Sequence, residues 1–95
     1  MEGFKLTPEK MREVATKFST NAEEIMDTAT RVNNAAEELM NAWVGAGADE
    51  FLNDITEYKL ACDKMVNLLE ERSNALMSSA QAAEDLSNSL ANQWA

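Results

Sequence analysis

The sequence has no histidine and is poor in cysteine, proline, glycine and aromatic residues. Its 95 residues include one cysteine, one proline and three glycines, and 6% of them are aromatic. Without histidine the chain lacks the usual general base and the commonest metal ligand. A single cysteine cannot form a disulfide within the chain, and neither Cys/His metal spacing nor a glycine-rich phosphate loop is present. We therefore expect a non-enzymatic protein without a cofactor or metal.

The charge balance and hydropathy exclude two further classes of protein. Eight basic residues against 17 acidic ones give a net charge of -9, and no Lys/Arg cluster could bind a phosphate backbone. No apolar run reaches the roughly 18 residues of a membrane span. The first ten residues, MEGFKLTPEK, lack the apolar core of a signal peptide. We expect a protein that stays in the cytoplasm or leaves by a route that reads no cleaved leader.

Helix one is predicted over about residues 8–43. Thr7 is a good N-cap, and Pro8 is favoured at the first helical position. Residues seven apart form rows along a helix, and two rows of apolar residues lie side by side here. The large row is Met11, Phe18, Ile25, Val32 and Leu39, and the small row is Ala15, Ala22, Ala29, Ala36 and Trp43. A row of alanines lets a second helix approach closely.

A bend at about residues 44–47 and a second helix at about 48–90, followed by a flexible tail, complete the single predicted domain, residues 1–95. Gly45 is expected to end helix one in the left-handed conformation, and Asp49 and Glu50 suit a helix N-terminus. Three rows form the apolar side of helix two. They are Phe51, Tyr58, Met65, Arg72, Ser79 and Leu86; then Ala61, Leu68, Ala75 and Ala82; then Ile55, Cys62, Leu69, Leu76, Ala83 and Leu90.

This pattern predicts an all-α antiparallel helical hairpin that dimerises into a four-helix bundle. A hairpin covers only one strip of each helix, whereas these apolar faces are wider and need a partner. The predicted dimer or partner interface is Phe18, Ile25, Val32, Leu39, Met65, Leu68, Leu69, Arg72 and Leu76. Arg72 either reaches water beside its packed stem or pairs with a carboxylate across the dimer. Cys62 is either a buried thiol or a disulfide between subunits.

The centre of the chain carries a short motif, Trp43-Val44-Gly45, between two long amphipathic helices. In a chain of about one hundred residues, this arrangement resembles the WXG family of type VII secretion proteins, the early-secreted-antigen-like or Esx-type proteins. The resemblance covers essentially the whole chain. It implies export by an FtsK-type ATPase-driven machine as a folded homodimer or heterodimer. Trp43 and Gly45 would be the secretion motif, which lies beside the partner's C-terminal export signal. Trp43 could equally serve only to close the helix pair.

The chain departs from the family in its tail, AAEDLSNSLANQWA. It has no tyrosine followed four residues later by Asp or Glu. This leaves open whether the chain carries its own export signal or uses that of a larger partner, such as a toxin with a helical N-terminal domain. By resemblance, the protein is a secreted, leaderless partner, adaptor or virulence-type effector with a cytoplasmic pool before export. The alternative is a cytoplasmic chaperone-like helical partner that presents a toxin to the secretion ATPase.

Overall fold

The computed structural model describes residues 6–94, which form two helices joined by a short bend. Helix α1 spans Pro8–Ala42 and helix α2 spans Ala48–Trp94. The predicted hairpin is confirmed. Helix α1 ends one residue before its predicted end. Helix α2 continues past residue 90, so residues 91–94 are helical where a flexible tail was predicted, and residue 95 lies outside the described residues.

Helix α1 begins at the cap that the sequence indicates. Thr7 is extended, and its hydroxyl oxygen accepts a hydrogen bond from the Lys10 amide at 3.1 Å. The Met11 amide donates to the Thr7 carbonyl at 3.0 Å. Pro8 occupies the first helical position, where its missing amide hydrogen leaves no helical bond unmade. The cap therefore fixes the residue at which helix α1 starts.

The alanine row of α1 forms the contact between the helices. Ala15, Ala22 and Ala36 are buried. Helix α2 contributes a buried row that the sequence analysis did not include, and its members are Val66, Ser73 and Ala80. The predicted apolar row Ile55, Cys62, Leu69, Leu76, Ala83 and Leu90 lies beside it, and its members are half-buried except Leu90, which is exposed. The predicted row Ala61, Leu68, Ala75 and Ala82 faces away from α1 and is exposed.

Two polar contacts join the helices at the end of the hairpin away from the bend. The Ser73 hydroxyl donates to the Ala15 carbonyl at 2.9 Å, and both residues are buried. The Arg12 guanidinium pairs with the Glu84 carboxylate. This pair raises the pKa of Arg12 and lowers that of Glu84, with the hydrogen bond between them as the largest cause. Because hydroxyls and charges need specific partners, these contacts fix the register of the two helices.

The hairpin is long and thin, and it buries little. It measures 76 × 25 × 15 Å and exposes 7440 Å², whereas a compact monomer of 10.5 kDa exposes about 5400 Å². Among the described residues, no large side chain is fully buried, and the residues at 0–1% exposure are all alanines. Neither helix, as far as the structure describes it, is long and apolar enough to cross a membrane. One hairpin alone therefore has a seam between its helices but no interior of large side chains.

Candidate functional site at the bend and the apolar face

The bend is a chain reversal built on two glycines. Helix α1 closes when the Trp43 amide donates to the Leu39 carbonyl at 2.9 Å, and Trp43 itself is extended, with φ -93° and ψ 113°. Gly45 and Gly47 then have φ values of +132° and +88°, which side-chain-bearing residues rarely adopt. Helix α2 starts where the Phe51 amide donates to the Gly47 carbonyl at 3.0 Å.

Gly45 does not end helix α1 in the way that was predicted. The last helical residue is Ala42, and the capping residue is Trp43 in an extended conformation. Gly45 lies two residues beyond the cap, and an added Cβ there would meet no atom within 4 Å. Its positive φ was anticipated, but it serves the reversal of the chain and not the helix end. Trp43 is therefore the residue at which the helix stops.

The Trp43 side chain folds back over the bend. Its ring lies 5.5 Å from that of Phe51 at an interplanar angle of 48°, a spacing at which aromatic pairs attract. A Cβ built on Gly47 would lie 3.4 Å from Trp43 Cζ2, so Gly47 lets the chain pass beside the indole. Val44 packs against almost nothing, with 96% of its surface exposed. The bend thus combines a half-buried tryptophan, Trp43, with an almost fully exposed apolar residue, Val44.

Most residues of the predicted interface lie on one side of the hairpin, which we call the apolar face. It consists of the large row of α1 together with the α2 rows of Phe51 and Ala61. Leu39, Met65 and Leu68 are exposed there by 44–47%. Phe18, Ile25 and Val32 are half-buried, as are Leu69 and Leu76, which lie nearer the seam between the helices. Arg72 is exposed.

A groove of about 670 Å³ runs along the apolar face between the helices. Its α1 wall is formed by Asn21, Glu24, Ile25 and Thr28, and its α2 wall by Tyr58, Ala61, Cys62, Met65 and Leu69. Cys62 is half-buried. A hydrogen bond with Cys62, and then burial, raise the pKa of Tyr58 above its ordinary value. The described residues contain no cluster of acidic, cysteine or histidine side chains able to hold a metal ion.

A family model described as "Proteins of 100 residues with WXG" matches residues 3–93. The chain belongs to the WXG100 family. Trp43 and Gly45 occupy the two named positions of that motif, at the bend described above. No curated protein matches the chain.

Solved structures of Esx proteins share the fold. EsxA of Geobacillus thermodenitrificans is 28% identical, with a TM-score of 0.84 over 94% of this WXG100 chain and 97% of EsxA. The secreted protein EsxB of Bacillus anthracis is 27% identical in its wild-type form, with a TM-score of 0.78 over 86% of this chain and 88% of EsxB. A selenomethionine form of EsxB reaches a TM-score of 0.82. The WXG100 chain is therefore a small helical protein of the type VII secretion-associated class.

Proposed function

We propose that this protein is exported by a type VII secretion system as a folded dimer of helical hairpins, and that it acts as a co-secreted partner or adaptor and not as an enzyme. The observation that carries the proposal is the Trp43-Val44-Gly45 bend at the tip of the hairpin, in a chain that matches the WXG100 family over residues 3–93. Its partner is a second copy or a related WXG-type or toxin-borne helical domain.

The surface of the hairpin supports the dimer. The chain exposes 7440 Å², about 2000 Å² more than a compact monomer of its mass. Stable interfaces remove about 1200–2000 Å² in total. The apolar face provides suitable area, because large side chains such as Leu39, Met65 and Leu68 remain 44–47% exposed there. Covering them would give the assembly the interior that one hairpin lacks.

The bend supports a recognition role in addition to packing. Trp43 is only half-buried although Phe51 packs against it, so part of the indole stays available to another protein. Val44, at 96% exposure, stands beside it as a second apolar contact. Tryptophan is prominent among the residues that dominate protein interfaces. In this proposal, the exposed part of Trp43 and Val44 form one half of the surface read by an FtsK-type secretion ATPase.

Export tests the proposal directly. The protein should accumulate in the medium of the source bacterium. After deletion of the secretion ATPase it should be missing from the medium and present in the lysate in at least the wild-type amount. A cytoplasmic reporter protein controls for lysis. Release that continues in the deletion strain contradicts the proposal. Detection in lysate alone, in both strains, supports the alternative of a cytoplasmic chaperone-like partner of a larger toxin.

A further inference from the structure

A second groove lies on the side of the seam opposite the apolar face, and we call it the back groove. It holds about 220 Å³. Cys62 lines both this groove and the 670 Å³ groove, so the two lie at the same level of the hairpin, one on each side. No lining residue of the back groove belongs to the predicted dimer interface. From α1 it is lined by Met26, Thr30 and Asn33, and from α2 by Lys59, Asp63 and Val66.

The rows that border the back groove continue toward the end of the hairpin away from the bend. Arg12 lies in the heptad row of Met26, and Glu84 lies in that of Asp63. Because Arg12 and Glu84 form an ion pair, these two rows still face each other there, about 21 Å from Met26 along α1. Met77 lies between Asp63 and Glu84 in the same row. The back groove and its borders therefore form one continuous side of the hairpin, which we call the back side.

The back side presents methionines to solvent. Met26 is 52% exposed and Met77 is 39% exposed. Met40, in the row of Met26, is half-buried, and Leu52, in the row of Lys59, is 47% exposed near the bend. A methionine side chain is unbranched and flexible, so it adapts to partners of different shape. These residues supply apolar surface that a partner could cover.

Both outer borders of the back side carry only negative charges. Every charged residue in the helical rows of Thr30 and Asp63 is acidic, and these residues are Glu9, Glu23, Glu37, Asp49, Asp63, Glu70 and Glu84. Arg12 and Lys59 lie between the borders, and Arg12 is paired with Glu84. The corresponding row of α1 beside the apolar face mixes both signs, as Lys10, Lys17, Glu24, Arg31 and Glu38. The back side is therefore an apolar groove between two negative borders.

We propose that the back side binds an amphipathic helix of another protein, whose apolar residues meet Met26, Met40 and Met77 and whose Lys or Arg residues lie along both negative borders. Helices that dock in a groove present apolar residues at positions i, i+3, i+4 and i+7, and basic residues on either side of that stripe would pair with the carboxylates. The proposal goes beyond the proposed function, because a dimer that covers the apolar face leaves the back side open. The hairpin would thus hold a further partner beside its dimer mate.

The charges and the backbone narrow the choice of occupant. A second copy of this chain would set negative borders against negative borders. Nucleic acids and anionic membranes are repelled in the same way. An extended peptide would leave its backbone N–H and C=O groups without partners, because the two helices offer no strand edge. A helix satisfies its own backbone groups, and basic residues on its flanks match the borders.

A designed helical peptide tests the proposal. The probe is a leucine–lysine peptide of about 18 residues, or roughly five turns, with all leucines on one face of the helix. We expect its binding to shift the NMR signals of isotope-labelled methyl groups of Met26, Met40 and Met77 in the 95-residue protein. The signals of Met11 and Met65, which lie on the apolar face, should stay in place. The same peptide with glutamate in place of lysine should not bind.

Variants of the borders separate this site from the rest of the surface. The border variant replaces three exposed carboxylates with amides, by Glu23→Gln, Glu37→Gln and Glu70→Gln. We expect it to raise the dissociation constant of the leucine–lysine peptide roughly fivefold or more, as measured by calorimetry. Its matched control removes as many exposed carboxylates outside the borders, by Glu38→Gln, Glu57→Gln and Glu71→Gln, and should bind the peptide nearly as the wild type does.

The apolar contact has its own pair of variants. Met26→Gln makes the side chain polar, and we expect the dissociation constant of the peptide to rise roughly threefold or more. Met26→Leu keeps the side chain apolar and should bind as the wild type does. Because Met26 is 52% exposed, neither change should disturb the fold, and circular dichroism checks this.

Each outcome supports or overturns the proposal. If the border variant binds the peptide as tightly as its control, or Met26→Gln binds as tightly as Met26→Leu, the back side is not the binding site. Shifts at Met11 and Met65 with Met26 and Met77 unchanged would place the peptide on the apolar face instead. Equal binding of a shuffled peptide without an apolar face would reduce the interaction to charge attraction and refute the proposal. Export plays no part in these measurements, so failure of the proposed function leaves this proposal standing, and the reverse.

Discussion

The two ends of the hairpin are held together by different kinds of interaction. At the bend, aromatic contact between Trp43 and Phe51 and two glycines with positive φ reverse the chain within a few residues. At the open end, a buried hydrogen bond and an ion pair join residues 58 and 72 positions apart in sequence. The bend therefore forms locally, whereas the open end forms only when the helices have found their register.

This difference suggests a division of roles. The bend presents apolar side chains to solvent, because Val44 is 96% exposed and Trp43 is only half-buried. The open end conceals its most specific contact, since Ser73 retains 7% exposure. We expect changes at the bend to affect recognition as well as stability, and changes at the open end to affect stability alone.

Removing the indole should have the largest effect on folding. Trp43→Ala deletes the contact with Phe51, and we expect the unfolding free energy to fall by about 2 kcal/mol, less than the roughly 3–5 kcal/mol typical of a fully buried tryptophan. Trp43→Phe keeps an aromatic ring over the bend and should cost about 1 kcal/mol. Urea unfolding at one protein concentration measures both. Equal losses for the two variants would show that the ring contact contributes nothing.

The glycines of the bend should be the next most sensitive. Gly47→Ala forces a side-chain-bearing residue to φ +88°, so we expect a loss of about 1–2 kcal/mol. Its Cβ would lie 3.4 Å from the indole, an ordinary van der Waals contact, so the strain is in the backbone. Gly45→Ala meets backbone strain of its own, at φ +132° in open space, and provides the comparison. Thermal unfolding of the two variants measures both losses. A variant at either position that is as stable as the wild type would contradict the need for glycine there.

Ser73 tests the open end. Ser73→Ala removes the hydroxyl but leaves the Ala15 carbonyl its own helical hydrogen bond, so we expect a loss of about 1 kcal/mol. Ser79→Ala, at an exposed site on the same helix, is the control and should change stability little. Denaturant unfolding compares the two. Identical stabilities would contradict a stabilising hydrogen bond between Ser73 and Ala15.

The ion pair at the open end should have the smallest effect, and that effect should depend on pH. Arg12 lowers the pKa of Glu84 below its ordinary value of 4.5. The pair therefore stabilises the fold above that value, and the stabilisation disappears as pH falls through the lowered pKa. Glu84→Gln should lose less stability than the wild type between pH 6 and pH 3. Glu70→Gln serves as the control. Melting curves of the three proteins, recorded across this pH range, compare how much stability each loses.

The sequence predicted the parts of the fold that depend on local pattern. Thr7 and Pro8 identified the start of α1, the alanine row identified its buried side, and the glycines identified the bend. It did not reveal which side of α2 meets α1, because the buried row there contains Ser73 and is preceded by Lys59 at the same heptad position. The Arg12–Glu84 pair was equally hidden, since 72 residues separate its members. Register between distant segments is set by packing and leaves no periodic signal.

Export of two variants with similar stability tests the division between the ends most directly. Trp43→Phe alters the bend, and Ser73→Ala alters the open end, each at a cost of about 1 kcal/mol. The fraction of each variant in the culture medium, relative to lysate and to wild type, is the measurement. The account predicts that Ser73→Ala is exported normally and that Trp43→Phe is retained. Equal export of both, or retention of Ser73→Ala alone, would contradict it.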